Sequence, residues 1–422
     1  MTDWIRYPIK PLQHGMETEY ASLYTPFGFS PSAMNVKIDQ HSIKKPWGYS
    51  LTRALGSKAY SVILYQLKDG SRYTVYLTAT DACCKKTGTS ETFQYITDTY
   101  TTGTATITAG TSLALTVSGT WAAVAAGDKF ILNDDHSANI EPDTNWATIA
   151  TVPSVSSATI SAYTGSGTTG AYKIRKVYSV PSGERWSHAI VDDKLCFTNG
   201  DVNVQYWNGT GYATDLDATY ATKARYCIEF ANRLWLADLY DAGVRDPYLL
   251  RGSAEGDPTN WTDDTAVDYP FLESDDIITG LGKGGNNIFL YKKESILIGG
   301  RSSNATDPLD FDIQRRGTGC VAPSSILEVL GTNVFLGRDD FYIIDGDYPK
   351  PIGEKIRHRF YDIVDNTEAE KTWGFVNHWR NECIWFANTS EGQYAFVWDY
   401  KTQEWFLYQF PVIMTGAGTG AV

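Results

Sequence analysis

Residues 341–346 read FYIIDG, an aromatic and β-branched run that ends in a tight Asp-Gly turn. The same shape returns at 202–209 (VNVQYWNG) and at 394–400 (YAFVWDY). Each unit after residue 185 is an apolar run, a polar turn, a second apolar run and an aromatic strand. A unit of that size cannot bury its own face and must stack on a neighbour. A second repeat keeps the same phase. Asn232-Arg233 precedes Leu234-Trp235-Leu236, Asn286-Asn287 precedes Ile288-Phe289-Leu290, and Thr332-Asn333 precedes Val334-Phe335-Leu336. Arg380-Asn381 stands shortly before Ile384-Trp385-Phe386. The polar pair tolerates the bend, and the apolar strand after it is buried between adjacent sheets. The units begin near Trp186, Tyr226, Ile277, Ile326 and Trp373, at steps of 40 to 51 residues. That is the length of a four-stranded propeller blade.

Residues 44–86 supply one more unit, with strand-like runs at 49–55, 59–67 and 73–78 and Lys68-Asp69-Gly70-Ser71 as a hairpin turn. The total is six. The fold expected is all-β, a six-bladed β-propeller with a small inserted β domain. The insert is residues 87–178, loaded with Thr, Ser, Ala and Gly, where Trp121, Phe130, Ile131, Trp146 and Tyr172 recur at strand-like positions and supply an apolar core. Residues 1–43 read as an extended N-terminal arm with anchors at Trp4, Tyr20, Tyr24 and Phe27, suited to cover a sheet edge or reach a neighbouring subunit. Residues 179–422 hold the remaining blades and the C-terminal closure. The last strand, near 406–410, is expected to pair with the first blade, since an unclosed propeller leaves two open edges.

The chain has 422 residues, 14% of them aromatic, a load that suits half-buried strands and contact surfaces. Lys and Arg number 36 against 49 Asp and Glu, a net charge of -13. This argues against a nucleic-acid grip built on phosphate neutralisation, while an acidic wall would let DNA slide past. The densest basic run, Lys355, Arg357, His358 and Arg359 beside Glu354, reads as a solvated face. The N-terminus shows no apolar signal core and no run approaches 18 apolar residues, so neither a signal peptide nor a membrane span is expected. The cysteines at 83, 84, 196, 227, 320 and 383 form no CxxC, and Cys196, Cys227 and Cys383 fall in or beside apolar runs. They read as buried reduced thiols in a reducing compartment, and Cys83-Cys84 has no second pair at metal spacing.

The densest acidic group is Asp339, Asp340, Asp345 and Asp347, flanking the strand 341–344. Carboxylates there are candidates for calcium or for a glycosidase acid and base. No EF-hand spacing is present, however, and Asp before Gly is what a tight turn favours. The chain holds no HExxH, GxSxG or GxxxxGK[ST], and its six histidines never fall at metal spacing. The run 280–285 (GLGKGG) has no helix after it to offer phosphate its amides, and reads as a blade turn. No catalytic residue, cofactor or metal is therefore expected. Trp207 and Trp261, beside turns, are candidate sugar platforms, and Trp4 is a candidate interface residue.

Ala322-Pro323-Ser324-Ser325 leads to Val334-Phe335-Leu336, then to Asp340-Phe341-Tyr342-Ile343-Ile344-Asp345-Gly346, then to Pro351-Ile352-Gly353-Glu354-Lys355-Ile356. This series resembles the propeller segment of tailed-bacteriophage tail proteins, the tail nozzle and packaged-DNA stabilisation family of short-tailed phages. Arg251-Gly252-Ser253, Pro258-Thr259-Asn260-Trp261 and Leu290-Tyr291-Lys292-Lys293-Glu294-Ser295-Ile296 are similar to that family too. Ala126-Gly127-Asp128 and Tyr172-Lys173-Ile174-Arg175 resemble the small β domain that interrupts some members. The likeness covers roughly residues 40–410 and rests on strand and turn signatures. It implies a structural virion protein of the tail, assembled in the host cytoplasm as a six-fold ring of identical subunits. Such a ring would contact a portal or adaptor and distal tail proteins, retain packaged double-stranded DNA, and guide it through without specific binding. The chain is compact beside the large nozzle proteins, which leaves a hub nearer the adaptor as a variant of the same role. The rival is a glycan-binding or glycan-cleaving tail propeller acting at the host surface. Cleavage would need two carboxylates about 5–9.5 Å apart in one cavity.

Overall fold

Six antiparallel sheets of four strands carry most of the described chain, and in each sheet the strands pair in sequence order. The computed structural model describes residues 16, 34–35, 37–39, 42–44, 57–88, 93–108, 113–117, 121, 124–132, 146–163, 165, 168–217, 219–241, 243–261, 266–271, 275–304, 307–345, 348–410 and 412–417. Blade 1 is Ala59–Gln66, Arg72–Thr78, Ala82–Lys86 and Gln94–Tyr95. Blade 2 is Ser187–Val191, Lys194–Thr198, Gln205–Trp207 and Thr214–Asp215. Blade 3 is Lys223–Phe230, Arg233–Asp241, Val244–Gly252 and Val267–Pro270. Blade 4 is Ile278–Gly284, Asn287–Lys292, Ser295–Arg301 and Leu309–Arg316. Blade 5 is Leu327–Val329, Thr332–Leu336, Phe341–Ile344 and Lys350–Pro351. Blade 6 is Trp373–Asn377, Glu382–Thr389, Gly392–Asp399 and Glu404–Tyr408. The fold is an all-β six-bladed propeller with an inserted β-barrel.

Of the repeated polar pairs, Asn232, Asn286 and Arg380-Asn381 stand at the turn between the first and second strands of a blade, Arg233 and Asn287 open the second strand, and Thr332-Asn333 lies within it, one step past the turn. Val191↔Lys194, Phe230↔Arg233 and Val329↔Thr332 each close a two-residue hairpin. Both central residues of each have positive φ: Asp192 and Asp193, Ala231 and Asn232, Leu330 and Gly331. Such turns match the right-handed strand twist, which is why Asp, Asn and Gly recur there. The second strand that follows is buried, with Leu234, Trp235 and Leu236 in blade 3 and Val334, Phe335 and Leu336 in blade 5 all fully covered.

Three expectations need correction. Blade 1 does not end at residue 86: Cys83 pairs with Tyr95 and Cys84 with Gln94, because the third strand needs a partner on its outer edge. The strand-like run 49–55 lies outside the described residues. Residues 280–284 are not a turn but part of the first strand of blade 4. A Cβ on Gly280, Gly282 or Gly284 would meet Ile326, Asn333 or the Gly331 carbonyl at 2.5, 2.1 and 2.6 Å. The glycines are there so that this strand can lie against blade 5. Finally, the last strand does not pair with blade 1. Glu404–Tyr408 pairs with Gly392–Asp399 inside blade 6, and its outer edge is met by the arm. Met16 donates its amide to the Trp405 carbonyl at 2.8 Å, Asn35 donates to Leu407 at 2.9 Å, and Met34 bridges Leu407 in parallel. Of the arm's two suggested uses, the described residues perform the first, covering a sheet edge.

The insert closes on itself. Its strands run Lys129–Leu132, Ala147–Ser154, Ser157–Ile160, Leu113–Val117, Thr104–Thr108 and Thr169–Arg175, and the last pairs again with the first. Ala105, Ile107, Trp121, Phe130, Leu132, Ile149, Ile160, Tyr172 and Ile174 fill it. The Trp121 indole donates to the Tyr172 hydroxyl at 3.0 Å, which donates to the Thr102 carbonyl at 2.8 Å. The chain divides into two compact units, Met1–Leu51 with Glu273–Met414, and Thr52–Leu272 with Thr415–Val422. The first holds blades 4 to 6 and the arm, the second blades 1 to 3 and the barrel.

Candidate functional site

Within the second unit, the outer strands of blade 1 and the third strand of blade 2 enclose a cavity of about 380 Å³. Tyr73 enters it from the second strand of blade 1, Cys84 and Lys86 from the third, Gln94 and Tyr95 from the fourth, and Trp207 from blade 2. Its remaining wall is Ile96 and the turn that follows Trp207, through Gly209, Gly211 and Tyr212. That turn is locally encoded. The Asn208 side-chain oxygen accepts from the Thr210 amide at 3.1 Å and hydroxyl at 2.9 Å, a side-chain mimic of a backbone turn. Gly209 has φ +89, and a Cβ there would stand 2.6 Å from Leu67 Cδ1, so only glycine lets the turn press onto blade 1. The Ala213 amide then donates to the Ile96 carbonyl at 2.6 Å and pins the two blades together at the cavity wall.

The walls are rigid aromatics. Trp207 meets Tyr73 edge-on at 5.2 Å and Tyr65 at 5.4 Å, and its indole donates to the Gly211 carbonyl at 3.2 Å. Lys86 Nζ lies 6.0 Å from the Tyr73 ring centre. Behind Tyr95 the Arg175 guanidinium stacks at 3.4 Å, with Trp146 on its other contact at 4.8 Å and Asp81 at 3.3 Å. Burial pushes the Tyr95 hydroxyl above its ordinary range, against the opposing pull of Arg175, so it stays a neutral phenol at pH 7. The lining thus offers aromatic edges, one amine, one amide, phenol hydroxyls and exposed backbone, and among the described residues it contains no carboxylate. A cavity of this size and chemistry can hold a small ligand with apolar C–H faces and several hydroxyls.

The sequence candidates fare differently. Trp207 is 2% exposed and Trp261 6%, so neither presents the open ring face of a sugar platform. Trp207 still gives an edge to the cavity, whereas Trp261 packs in the core between blades 2 and 3. Trp4 lies outside the described residues. Among the described residues the open indole is Trp379, 81% exposed at the first turn of blade 6. Its signal was its setting between His378 and Arg380 in a turn, where no strand run surrounds it.

The acidic group is not one site. Asp340 and Asp345 flank Phe341–Ile344, which at about 3.3 Å per residue separates them by roughly 16 Å, too far for a hydrolytic pair. Asp339 accepts from the Tyr342 hydroxyl at 2.9 Å, Asp345 pairs with Lys350 at 3.5 Å, and Asp347 lies outside the described residues. No group of three or more His, Cys, Asp or Glu able to hold a metal occurs among the described residues. The basic run is also divided. It opens the short helix Arg357–Ile363, and Lys355 pairs with Glu404 at 3.0 Å, Arg357 with Asp340 at 3.8 Å and Arg359 with Glu391 at 3.6 Å. All six cysteines are buried and outside any disulfide, and burial pushes the Cys227 and Cys320 thiols up to about 12.

Asp340 has a measurable consequence. Burial raises its carboxyl to about 6, against the opposing Phe341 amide and Arg357 charge. A folded pKa above the ordinary value means that its contribution is complete below that value and is lost as pH rises through about 6. Linkage caps the loss at about 3 kcal/mol. Asp340→Asn is therefore expected to gain stability relative to the parent between about pH 4 and pH 7. Urea unfolding at both pH values checks this, and an offset that does not change with pH would refute it.

No protein-family model matches the chain, and no curated protein matches it in sequence. Solved structures with some likeness include the extracellular domain of BT4673 from B. thetaiotaomicron, at 11% identity and TM-score 0.34, covering 81% of this chain and 38% of that one. The phage phi92 endosialidase matches at 11% identity and TM-score 0.26, covering 78% of this chain and 52% of that one. Apo AztD from Citrobacter koseri matches at 10% identity and TM-score 0.34, covering 80% and 82%. The chain spans only 38% of the length of the first of these structures and 52% of the second. With TM-scores below 0.5, none of these likenesses bears on function, and none singles out the phage tail nozzle family. The fold stands on the pairing of the strands themselves.

Proposed function

We propose that the chain is a non-catalytic glycan-binding propeller that takes one or two neutral sugar rings in the cavity between blades 1 and 2. The observation that carries this is the lining: Tyr73, Tyr95, Trp207 and Tyr212 around a space of about 380 Å³, with Lys86 and Gln94 at hand and no carboxylate among the described residues. Aromatic edges take the C–H faces of a pyranose while the amide, amine and phenols take its hydroxyls. The absence of an acid pair among the described lining residues favours holding over hydrolysis.

Screening the purified chain against a glycan array, followed by calorimetry on the best oligosaccharide, tests the reading. Gln94→Ala and Tyr212→Phe change the lining without emptying the core. Each is expected to weaken binding about tenfold, near 1.4 kcal/mol. Absence of any glycan ligand, or affinity indifferent to both changes, would reject it.

A second reading is a structural virion protein of a phage tail, a six-fold ring through which packaged DNA passes. The net charge of -13 favours it, since an acidic conduit repels the DNA backbone. The residues that resemble the tail nozzle family are propeller strands and turns, so that resemblance supports the ring only as far as the fold. Mass photometry finding hexamers, or a tail reconstruction placing six copies about the channel, would favour this reading over the first.

A further inference from the structure

Asparagine followed by glycine occurs twice in the chain, at Asn199-Gly200 and at Asn208-Gly209. The pair has a chemistry of its own. Glycine has no side chain to shield its amide nitrogen, so that nitrogen can approach the carbonyl carbon of the asparagine side chain. At both places the carbonyl is polarised by two donors. The Asn208 oxygen accepts from the Thr210 amide at 3.1 Å and hydroxyl at 2.9 Å, and the Asn199 oxygen accepts from the Asp201 amide at 3.0 Å and the Val202 amide at 3.1 Å. Such donors stabilise the negative charge that the oxygen takes up when its carbon is attacked.

The two sites differ at the nitrogen that must leave. Asn199 is 1% exposed, and its Nδ2 donates to the Ser179 carbonyl at 2.6 Å. Asn208 is exposed, and its Nδ2 has no hydrogen-bond partner among the described residues. Water therefore reaches the departing nitrogen at Asn208 and is kept from it at Asn199.

We propose that Asn208 is a self-modifying residue, whose side-chain amide the chain converts to a carboxylate through a succinimide, altering the cavity wall between blades 1 and 2. The Gly209 amide nitrogen attacks Asn208 Cγ and gives its proton to water or hydroxide. The bond from Cγ to Nδ2 then breaks, and Nδ2 takes a proton from water and leaves as ammonia. A second water opens the succinimide at either carbonyl, giving aspartate or giving isoaspartate, in which the main chain runs through the side-chain carbon. The net change is one water in and one ammonia out.

Either product sets a carboxylate beside a wall whose described residues have none. Isoaspartate does more. It adds a carbon to the main chain where Gly209 presses on Leu67, and so shifts the Gly211 carbonyl from the Trp207 indole and the Ala213 amide from the Ile96 carbonyl. This holds whatever the cavity binds.

Peptide mapping by mass spectrometry, after days at mildly alkaline pH and physiological temperature, tests the modification in the folded chain. Asn208 is expected to convert about tenfold faster than Asn199, which must open locally before water enters. In urea the two rates should fall within about threefold of each other, since only the fold distinguishes the sites. Thr210→Ala, at an exposed position, should slow conversion of Asn208 about threefold by removing one donor. In the isoaspartate fraction, separated by ion exchange, the Ala213 amide should exchange with solvent faster than in the parent. Asn208→Asp has the charge without the extra carbon and should leave that amide slow. An Asn208 that stays intact, equal rates at the two sites in the folded chain, or a Thr210→Ala variant that converts as fast as the parent would overturn the proposal. So would an Ala213 amide that isoaspartate leaves unmoved.

Discussion

Replacing Lys37 by Met is expected to destabilise the first unit by about 3–5 kcal/mol, the cost of stranding buried charge. The Lys37 ammonium lies 3.1 Å from Glu382 and 2.6 Å from Asp399, carboxylates whose side chains are 0% and 5% exposed. It also donates to the Arg380 carbonyl at 3.3 Å. One residue of the arm thus neutralises two buried acids of blade 6, and losing it costs more than the pair contributes. Burial alone would lower the Lys37 amine. Its hydrogen bond to Asp399 and the charge of Glu382 outweigh that and hold the ammonium above its ordinary range. With a raised folded pKa the contribution is complete below the ordinary lysine value, so it persists through neutral pH and fades only in strong alkali. Chemical unfolding measures the loss, and hydrogen exchange at the Asn35 amide reports whether the arm lifts from Leu407. A loss below about 1 kcal/mol would show that the pair is no more than a surface bridge. Adding Glu382→Gln and Asp399→Asn to Lys37→Met should recover most of the stability, as removal of a whole buried ion cluster does.

Replacing Arg175 by Met in the second unit is expected to cost a similar amount, about 3–5 kcal/mol, because it strands Asp81. Arg175 is 5% exposed and Asp81 9%, with 3.3 Å between them. The guanidinium also stacks on Tyr95 of blade 1 and on Trp146 of the insert. Because Arg175 is the last residue of the barrel's closing strand, it is where the insert grips blade 1. The change should therefore loosen Tyr95, a wall of the cavity, as well as the barrel. Thermal unfolding that stays a single transition at the parent's Tm would contradict this role.

Much of the fold could be read because its repeat is made of local chemistry. Asp192-Asp193, Asn232 and Asn381 adopt positive φ at hairpin tips, and such residues announce themselves whatever packs around them. The second strands after them are apolar on both faces because sheets cover both. The glycine strand of blade 4 is illegible for the opposite reason: Gly280, Gly282 and Gly284 answer to Ile326, Asn333 and Gly331, 46 to 51 residues away in sequence. The barrel was legible as a β domain through Trp121, Phe130 and Tyr172. Its closure was not, since the pairing of Thr169–Arg175 with Lys129–Leu132 leaves no mark at short range. The cavity is harder still. It joins residues 73–96 to 207–212, and a turn-side tryptophan such as Trp207 looks open until Tyr65 and Tyr73 are packed on it. Trp379, in a similar turn, stays open because no such partners among the described residues cover it.

The most direct test of the central claim is a crystal structure of the chain grown with its best-binding oligosaccharide. The prediction is a sugar ring within the cavity, its C–H face against Tyr73 or Tyr212 and its hydroxyls within hydrogen-bonding distance of Gln94 and Lys86. A cavity that remains empty while the sugar occupies another part of the surface would contradict it.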